Sequence, residues 1–171
     1  GRVQLGPCDV TQWPTHQRGI GLVFQDALLF PHMSVAENML FAVPLGVPKP
    51  ERQARVQQAL QEADLADMGP RDPSTLSGGQ RARVALMRAL LAEPKALLLD
   101  EPFSAVDSHT TDELIQLLCD WHSKGRSVIA VLHDMELVRE HFPHTLLLSG
   151  EVIAWGDTES VLTRENLKAA R

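Results

Sequence analysis

The chain has 171 residues, and 44% of them are hydrophobic, which is enough for one globular domain with a core of its own. The 16 basic and 22 acidic residues give a net charge of -6, which disfavours general binding to nucleic-acid phosphates. Cys8 and Cys119 are too few and too far apart for a disulfide framework or a zinc knuckle, and this fits a reduced cytosolic setting. No apolar run reaches the roughly 18 to 20 residues of a membrane span, so any membrane link would come through a partner.

The first half of the chain predicts one strand followed by a group of helices. Residues 20–25 are a short apolar run typical of a buried strand, and Ser34 with Glu37 has capping-box spacing at the start of a predicted helix over 34–42. Several prolines then mark a loop. We predict a second helix, a turn-rich connection and a third helix that ends before Pro94, over residues 51–63, 64–76 and 80–93.

The second half predicts an alternation of strands and helices. The predicted elements are a strand over 96–100, a helix over 108–123, a strand over 127–132, a helix over 134–140, strands over 145–149 and 151–155, and an amphipathic segment over 158–162 that can extend to Ala170. Apolar strands that alternate with helices favour an α/β fold with a mostly parallel sheet, covered on both faces.

Asp100 and Glu101 follow the apolar run 96–99, at the carboxyl end of its predicted strand. Open parallel sheets bind ligands at this edge. One carboxylate there can hold Mg²⁺ and a second can polarise an attacking water, so we assign Asp100 to the metal and Glu101 to general base. The structural alternative is a solvated acidic turn before Pro102.

Leu76-Ser77-Gly78-Gly79-Gln80 precedes a predicted helix. Two glycines let backbone N–H groups approach an anion closely, and the positive end of the helix favours a phosphate there. An ordinary capping box between Ser77 and Gln80 is the alternative. It explains the serine and the glutamine but not the paired glycines, which cost about 1 kcal/mol each inside a helix.

Three further polar residues stand at the ends of predicted elements. Gln25 ends the first strand, His133 follows the strand over 127–132, and Asp107 precedes the helix over 108–123. Each has a plain structural interpretation: a polar strand end, a hydrogen-bonded histidine, or an N-cap for which Ser108 also competes. The arginines of the third helix are interpreted as a solvated face, with attraction of a phosphate as the secondary alternative; they are Arg81, Arg83 and Arg88.

Taken in chain order, these segments resemble five motifs of the ATP-binding subunits of ABC transporters, especially the import type. They match the Q-loop, the signature, Walker B, the D-loop and the switch histidine, at 22–25, 76–80, 96–101, 104–107 and 133. The resemblance implies a P-loop NTPase, RecA-like core with a mostly parallel sheet and an ABC helical subdomain. It divides the single domain over 1–171 into a core of 1–30 and 94–171 and a helical subdomain of 31–93 that contains the signature helix.

The resemblance also implies ATP and Mg²⁺ as cofactors of a transport-coupled ATPase. It assigns catalytic roles to Glu101, His133 and Gln25, and metal binding to Asp100 and Gln25. Nucleotide contacts across a dimer go to Ser77, Gly78, Gly79, Gln80 and Asp107. The implied partners are a second ATP-binding subunit, transmembrane permease subunits and a solute-binding protein, with no nucleic acid. The implied location is the cytoplasmic face of the bacterial inner membrane. Apolar residues after Gln25 could line the permease groove or belong to the core.

One departure from the family pattern is the absence of any Gly-x-x-x-x-Gly-Lys-[Ser/Thr] phosphate loop from these residues. Because that loop lies upstream of the Q-loop in the family, we expect the N-terminal part of the fold to be missing, with a naturally degenerate subunit as the alternative. We therefore expect the 171-residue chain to bind ATP poorly and not to hydrolyse it. A rival function is an ABC-type ATPase of DNA maintenance or regulation. The first of these is disfavoured by the acidic charge and by the lack of sustained heptads.

Overall fold

The computed structural model describes residues 1–104 and 106–170. The chain forms two compact units, Gly1–Val131 and Leu132–Arg171. The first unit contains strands β1 Gln4–Leu5, β2 Cys8–Asp9, β3 Ile20–Val23, β4 Ala96–Asp100 and β5 Ser127–Val131, and helices α1 Val35–Ala42, α2 Lys49–Glu62, α3 Gly78–Leu91 and α4 Ser108–Ser123. The second contains α5 Met135–His141, β6 His144–Ser149, β7 Glu151–Asp157, α6 Thr158–Val161 and α7 Arg164–Ala169.

A parallel sheet in the order β3-β4-β5 organises the first unit. Its inward face carries Val23, Leu97 and Leu99, which pack with residues of α3 and α4. Since β3, β4 and β5 are parallel, their carboxyl ends lie along one edge, with Val23 beside Leu99. The predicted α/β class with a parallel sheet is confirmed.

The opposite face of this sheet differs from the prediction. Leu22, Ile129 and Val131 are 50%, 60% and 51% exposed there. The predicted coverage of both faces is wrong for the described part of the first unit, because α3 and α4 contribute to the same core on the inward face. A strand pattern that is apolar on both sides predicts burial but does not identify the element that covers each side.

Helix α3 connects two hydrophobic cores. Val84 and Met87 pack with α1 and α2, while Ala85 and Leu86 pack with the sheet and α4. Because these two pairs of α3 residues pack in different cores, the helix is held on two sides. The N-terminal end of α3, which carries the two glycines, is therefore set in a fixed position relative to both cores.

The second unit corrects a second prediction, since β6 and β7 form an antiparallel pair and not a part of the parallel sheet. The turn between them contains only Gly150, which adopts a φ of +73°. A parallel connection needs a crossover of a dozen or more residues, so a single-residue link permits only a hairpin. Val138, Leu147, Val161 and Leu162 form the core of this unit.

Other differences concern element boundaries. The short pair β1 and β2 and three single turns of 3-10 helix were not predicted, because two or three residues are too few to show a periodicity. Helix α2 begins two residues earlier than predicted, with Pro50 in its first turn, where a missing N–H costs nothing. The final segment divides into two helices because Thr163 caps α7 through its side chain.

Gly21 supports a testable prediction about packing of the sheet. A Cβ atom at this position would lie 2.9 Å from Leu97 Cδ1 and 3.1 Å from Pro94 Cγ. We expect Gly21→Ala to lower the free energy of unfolding by roughly 1–3 kcal/mol, as overpacking does in other cores. Gly46→Ala is the matched control, since nothing lies within 4 Å of a Cβ there. Equal denaturant midpoints for the two variants would contradict the expectation.

Candidate active site

Gln25, Asp100 and Glu101 lie together at the carboxyl ends of β3 and β4. Gln25 Nε2 donates a hydrogen bond to Glu101 Oε2 at 3.3 Å. Asp100 is the last residue of β4 and is exposed. The predicted grouping arises because paired parallel strands end side by side, so residues 75 or more positions apart in the sequence meet at one edge.

The backbone at Glu101 has an unusual conformation. Its φ is +44°, in the left-handed region that side chains other than glycine rarely adopt. Its N–H donates to the Val131 carbonyl at 3.1 Å, and its carbonyl accepts from Ser104 N at 3.2 Å and Ser104 Oγ at 3.0 Å. These bonds over-determine the turn and hold the Glu101 carboxylate where it meets Gln25.

The donors at this edge fit Mg²⁺ better than a transition metal. Asp100, Glu101 and Gln25 supply oxygen atoms only, and no group of three or more His, Cys, Asp or Glu side chains suited to a metal occurs among residues 1–104 and 106–170. Mg²⁺ commonly uses one or two carboxylates and completes its shell with water and phosphate oxygens. An incomplete set of protein ligands is consistent with that use.

Both interpretations of the segment at 76–80 hold in the structure. Gln80 N donates to Ser77 Oγ at 3.2 Å and Ser77 N donates to Gln80 Oε1 at 3.0 Å, so the capping box is present. Within the described residues, no hydrogen bond uses the N–H of Gly78 or Gly79. Two backbone donors at the positive end of α3 thus remain open for an anion.

Asp107, and not Ser108, is the N-cap of α4. Asp107 Oδ1 accepts from Thr110 N at 3.0 Å, and Oδ2 accepts from Thr110 Oγ1 at 2.9 Å. A Cβ at Gly79 would lie 3.3 Å from Thr110 Cγ2 and 3.8 Å from Asp107 Oδ2. The close approach of this cap gives Gly79 a structural reason to be glycine, in addition to the proposed phosphate contact.

Asp107 also supports a pH prediction. Hydrogen bonds from the backbone and side chain of Thr110 lower the pKa of the Asp107 carboxyl below its ordinary value. The ionised cap therefore adds stability above the unfolded-state pKa, and this contribution is lost as the pH falls through the lowered pKa. We expect the stability advantage over Asp107→Asn, measured by denaturant midpoint at neutral pH, to shrink in acid. A difference that stays constant with pH would contradict this account.

The interpretation of the α3 arginines as a solvated face is wrong for Arg83 and Arg88. The Arg83 side chain is only 13% exposed and contacts α4. Arg88 donates to Asn38 Oδ1 at 3.2 Å and to the Leu28 carbonyl at 2.5 Å, and burial lowers the pKa of its guanidinium. Arg81 donates to the Leu76 carbonyl at 2.6 Å. All three bind backbone or side chains of the protein.

Sequence reasoning missed the role of Asn38, which is fully buried in α1. Asn38 Nδ2 donates to the carbonyls of Phe30, Met33 and Ser34, each at 3.1 Å, and Oδ1 accepts from Phe30 N at 2.8 Å. This side chain fixes the loop that follows Gln25. The available signal was the position of Asn38 among apolar residues of the predicted helix over 34–42, because a buried polar side chain needs hydrogen-bond partners.

His133 belongs to the second unit and is exposed. It precedes Asp134, whose Oδ1 caps α5 by accepting from Glu136 N at 2.9 Å and Leu137 N at 3.1 Å. The cap sets the start of α5 and so limits the backbone conformation next to His133. The catalytic role of His133 stays a prediction.

The family model for ABC transporters matches residues 1–104, which is more than half of the chain. The chain belongs to the ABC transporter family. Sulfate/thiosulfate import ATP-binding protein CysA 2 of Agrobacterium fabrum is 39% identical over 97% of this chain and 50% of its own length. ABC transporter ATP-binding protein YnjD of Escherichia coli is 49% identical over 80% of the chain and 63% of its own length.

Spermidine/putrescine import ATP-binding protein PotA of Pseudomonas aeruginosa is 46% identical over 78% of this chain and 38% of its own length. The ABC chain thus spans between 38% and 63% of these three curated relatives. No helix in the described residues has the length and apolar character needed to cross a membrane.

Two solved structures of the ABC family share the fold. The ATP-binding cassette MJ0796, in a dimeric post-hydrolysis state bound to ADP and Pi, is 31% identical with a TM-score of 0.79, covering 92% of this chain and 73% of that one. An inward-facing metal-chelate type ABC transporter is 33% identical with a TM-score of 0.77, covering 88% and 62%. These neighbours confirm the ABC ATPase fold.

Proposed function

We propose that the full-length protein containing this chain is the ATP-hydrolysing subunit of an ABC importer that moves a small solute across the bacterial inner membrane. The hydrogen bond between Gln25 and Glu101, beside Asp100, is the observation that carries the proposal. At this sheet edge, where ligands bind, Asp100 offers a carboxylate for a metal ion and Glu101 offers a second carboxylate for a water molecule. The similarity to the import ATP-binding proteins CysA and PotA supports import as the process that this subunit drives.

Each residue at this edge has a separate chemical task in the proposal. Asp100 and Gln25 would hold Mg²⁺, which would supply positive charge to neutralise the nucleotide phosphates. The Glu101 carboxylate accepts a proton from the attacking water and is kept in position by Gln25 and by its strained backbone. For His133, which belongs to the second unit, the resemblance to the family is the ground for proposing a hydrogen bond to the γ-phosphate.

A second copy completes the proposed nucleotide site. Ser77, Gly78, Gly79, Gln80 and Asp107 contact the ATP held by the opposite copy. The open N–H groups of Gly78 and Gly79, at the N-terminus of a 14-residue helix, support this assignment because they can surround phosphate oxygens. The dimeric state of the MJ0796 cassette, bound to ADP and Pi, is consistent with it.

Exposed apolar residues near Gln25 support the proposed permease contact. Leu28, Phe41 and Leu45 are 61%, 63% and 87% exposed. Leu28, Phe30 and Phe41 line a groove of about 350 Å³ together with Arg88. A membrane partner that docks here would hold the subunit at the cytoplasmic face, and a solute-binding protein would supply the solute on the other side.

ATP hydrolysis by the full-length protein tests the proposal. We expect Mg²⁺-dependent release of phosphate and ATP-driven dimerisation, both absent in EDTA. The 171-residue chain alone should bind ATP poorly and release no phosphate, because it lacks the Gly-x-x-x-x-Gly-Lys-[Ser/Thr] loop. Absence of ATP binding by the full-length protein would overturn the function, and normal turnover by the 171-residue chain would overturn the expectation for that chain.

A further inference from the structure

We infer that Arg83 is a positioning residue that couples the signature end of α3 to the Asp107 cap of α4. In the proposed dimer both segments face the nucleotide of the opposite copy, so the inference rests on the proposed function. Arg83 would not touch that nucleotide itself. It would hold two nucleotide-contacting segments in one fixed arrangement.

The contacts of Arg83 connect three elements. Its Nη2 donates to Thr110 Oγ1 at 3.2 Å and also pairs with the Glu113 carboxylate, both on α4. Its Nη1 donates to the Ala63 carbonyl, just after α2, at 3.1 Å. A planar guanidinium can reach all three acceptors at once, whereas a lysine ammonium is a single point charge.

Thr110 extends this connection to the D-loop. Its hydroxyl accepts from Arg83 and donates to Asp107 Oδ2 at 2.9 Å, so a directed series of hydrogen bonds runs from α3 to the cap. Thr110 is only 7% exposed. The absent side chain of Gly79 leaves room for the same Thr110 to pack against the first turn of α3. A movement of the Asp107 cap would therefore also move Thr110, which packs against Gly79.

The burial of Arg83 supports a specific role beyond packing. Its Nε is buried and lacks a hydrogen-bond acceptor among the described residues. An unsatisfied donor costs stability, and buried charges can often be replaced by apolar side chains without loss. A buried arginine is useful here despite its unsatisfied Nε, because its directed contacts with Thr110 and Glu113 fix the position of α3 relative to α4.

ATP-driven dimerisation of the full-length protein tests the inference, with Glu101→Gln as the parent so that hydrolysis does not intervene. We expect Arg83→Ala and Thr110→Val each to raise the ATP concentration for half-maximal dimerisation about tenfold, the loss expected for charge-assisted and buried hydrogen bonds. ATP affinity measured on the monomer, below the concentration of dimerisation, should stay within about twofold. A general loss of stability would change both quantities.

Three variants make the comparison specific. Thr110→Ser keeps the hydroxyl and should restore the parental midpoint. Arg55→Ala removes an arginine of α2 that pairs with Glu51 and Glu93, away from the signature, and should leave the midpoint unchanged. Thr110→Val preserves the shape of the side chain, so it tests the inference even if Arg83→Ala does not fold.

The outcomes separate the inference from the function. Parental midpoints for Arg83→Ala or Thr110→Val, or an equal fall in monomer ATP affinity, would overturn the positioning role. If the Glu101→Gln parent binds ATP but does not dimerise with it, the proposed dimer is overturned, and the inference with it. A raised midpoint in Thr110→Val with rescue by Thr110→Ser supports both.

Discussion

Glu101→Gln is expected to reduce ATP turnover by the full-length protein about 10²–10⁴-fold, the usual contribution of a positioned general base. The amide cannot accept a proton from water, but its oxygen can still accept the hydrogen bond that Gln25 donates at 3.3 Å. We therefore expect ATP binding to persist and ATP-bound dimers to accumulate. Single-turnover phosphate release, measured beside nucleotide binding, separates these effects.

Glu151→Gln is the control for this substitution. It removes the same negative charge, and Glu151 is exposed on β7. Its turnover should equal that of the unmodified protein. A turnover of Glu101→Gln within about threefold of the control would show that another group accepts the proton. A parallel loss of ATP binding would instead show that Glu101 holds the nucleotide complex together.

Asn38→Ala is expected to lower the free energy of unfolding by about 2–4 kcal/mol, because the substitution removes a buried side chain that makes several hydrogen bonds. Phe30 N–H and the Met33 carbonyl lose their bonds to Asn38. The Phe30 and Ser34 carbonyls each lose one of two donors, and Arg88 loses one of its two acceptors. Chemical denaturation monitored by circular dichroism measures the change. Proteolysis should increase within residues 26–34, since the loop after Gln25 is no longer anchored.

Asn166→Ala is the matched control. Asn166 is half-buried and its Nδ2 donates one hydrogen bond, to the Val161 carbonyl at 2.8 Å. We expect a smaller loss of about 1 kcal/mol, as for a single ordinary hydrogen bond. If the two asparagine variants were equally stable, water would have to replace the contacts of Asn38, and the proposed anchoring of the loop would be wrong.

The strand ends of the candidate site could be predicted because they depend on local pattern. The run 96–99 and the acidic pair after it are adjacent in sequence, and pairing of parallel strands brings Gln25 to the same edge. The caps at Ser34 and Ser77 also follow from spacing of three residues, and the structure contains both capping boxes. Short-range rules were sufficient for these features.

The contacts of the arginines could not be predicted because their partners are distant in sequence. Arg83 meets Glu113 thirty residues away, and Arg88 meets Asn38 fifty residues away. Helical periodicity does not distinguish an arginine with buried partners from an arginine in solvent, since both interrupt the apolar pattern of the helix. The composition of β6 and β7 does not reveal their hairpin, because apolar strands of this kind are also typical of a parallel sheet. The one-residue turn at Gly150 is the feature that requires antiparallel pairing.

The left-handed backbone at Glu101 makes stability and activity opposing selection targets at this position. Glycine would relieve a cost of order 1 kcal/mol, and asparagine part of it, yet neither can accept a proton from water. A library screened for heat resistance alone should therefore enrich for glycine at residue 101 and lose turnover. A screen for ATP turnover by the full-length protein should keep glutamate despite its strain.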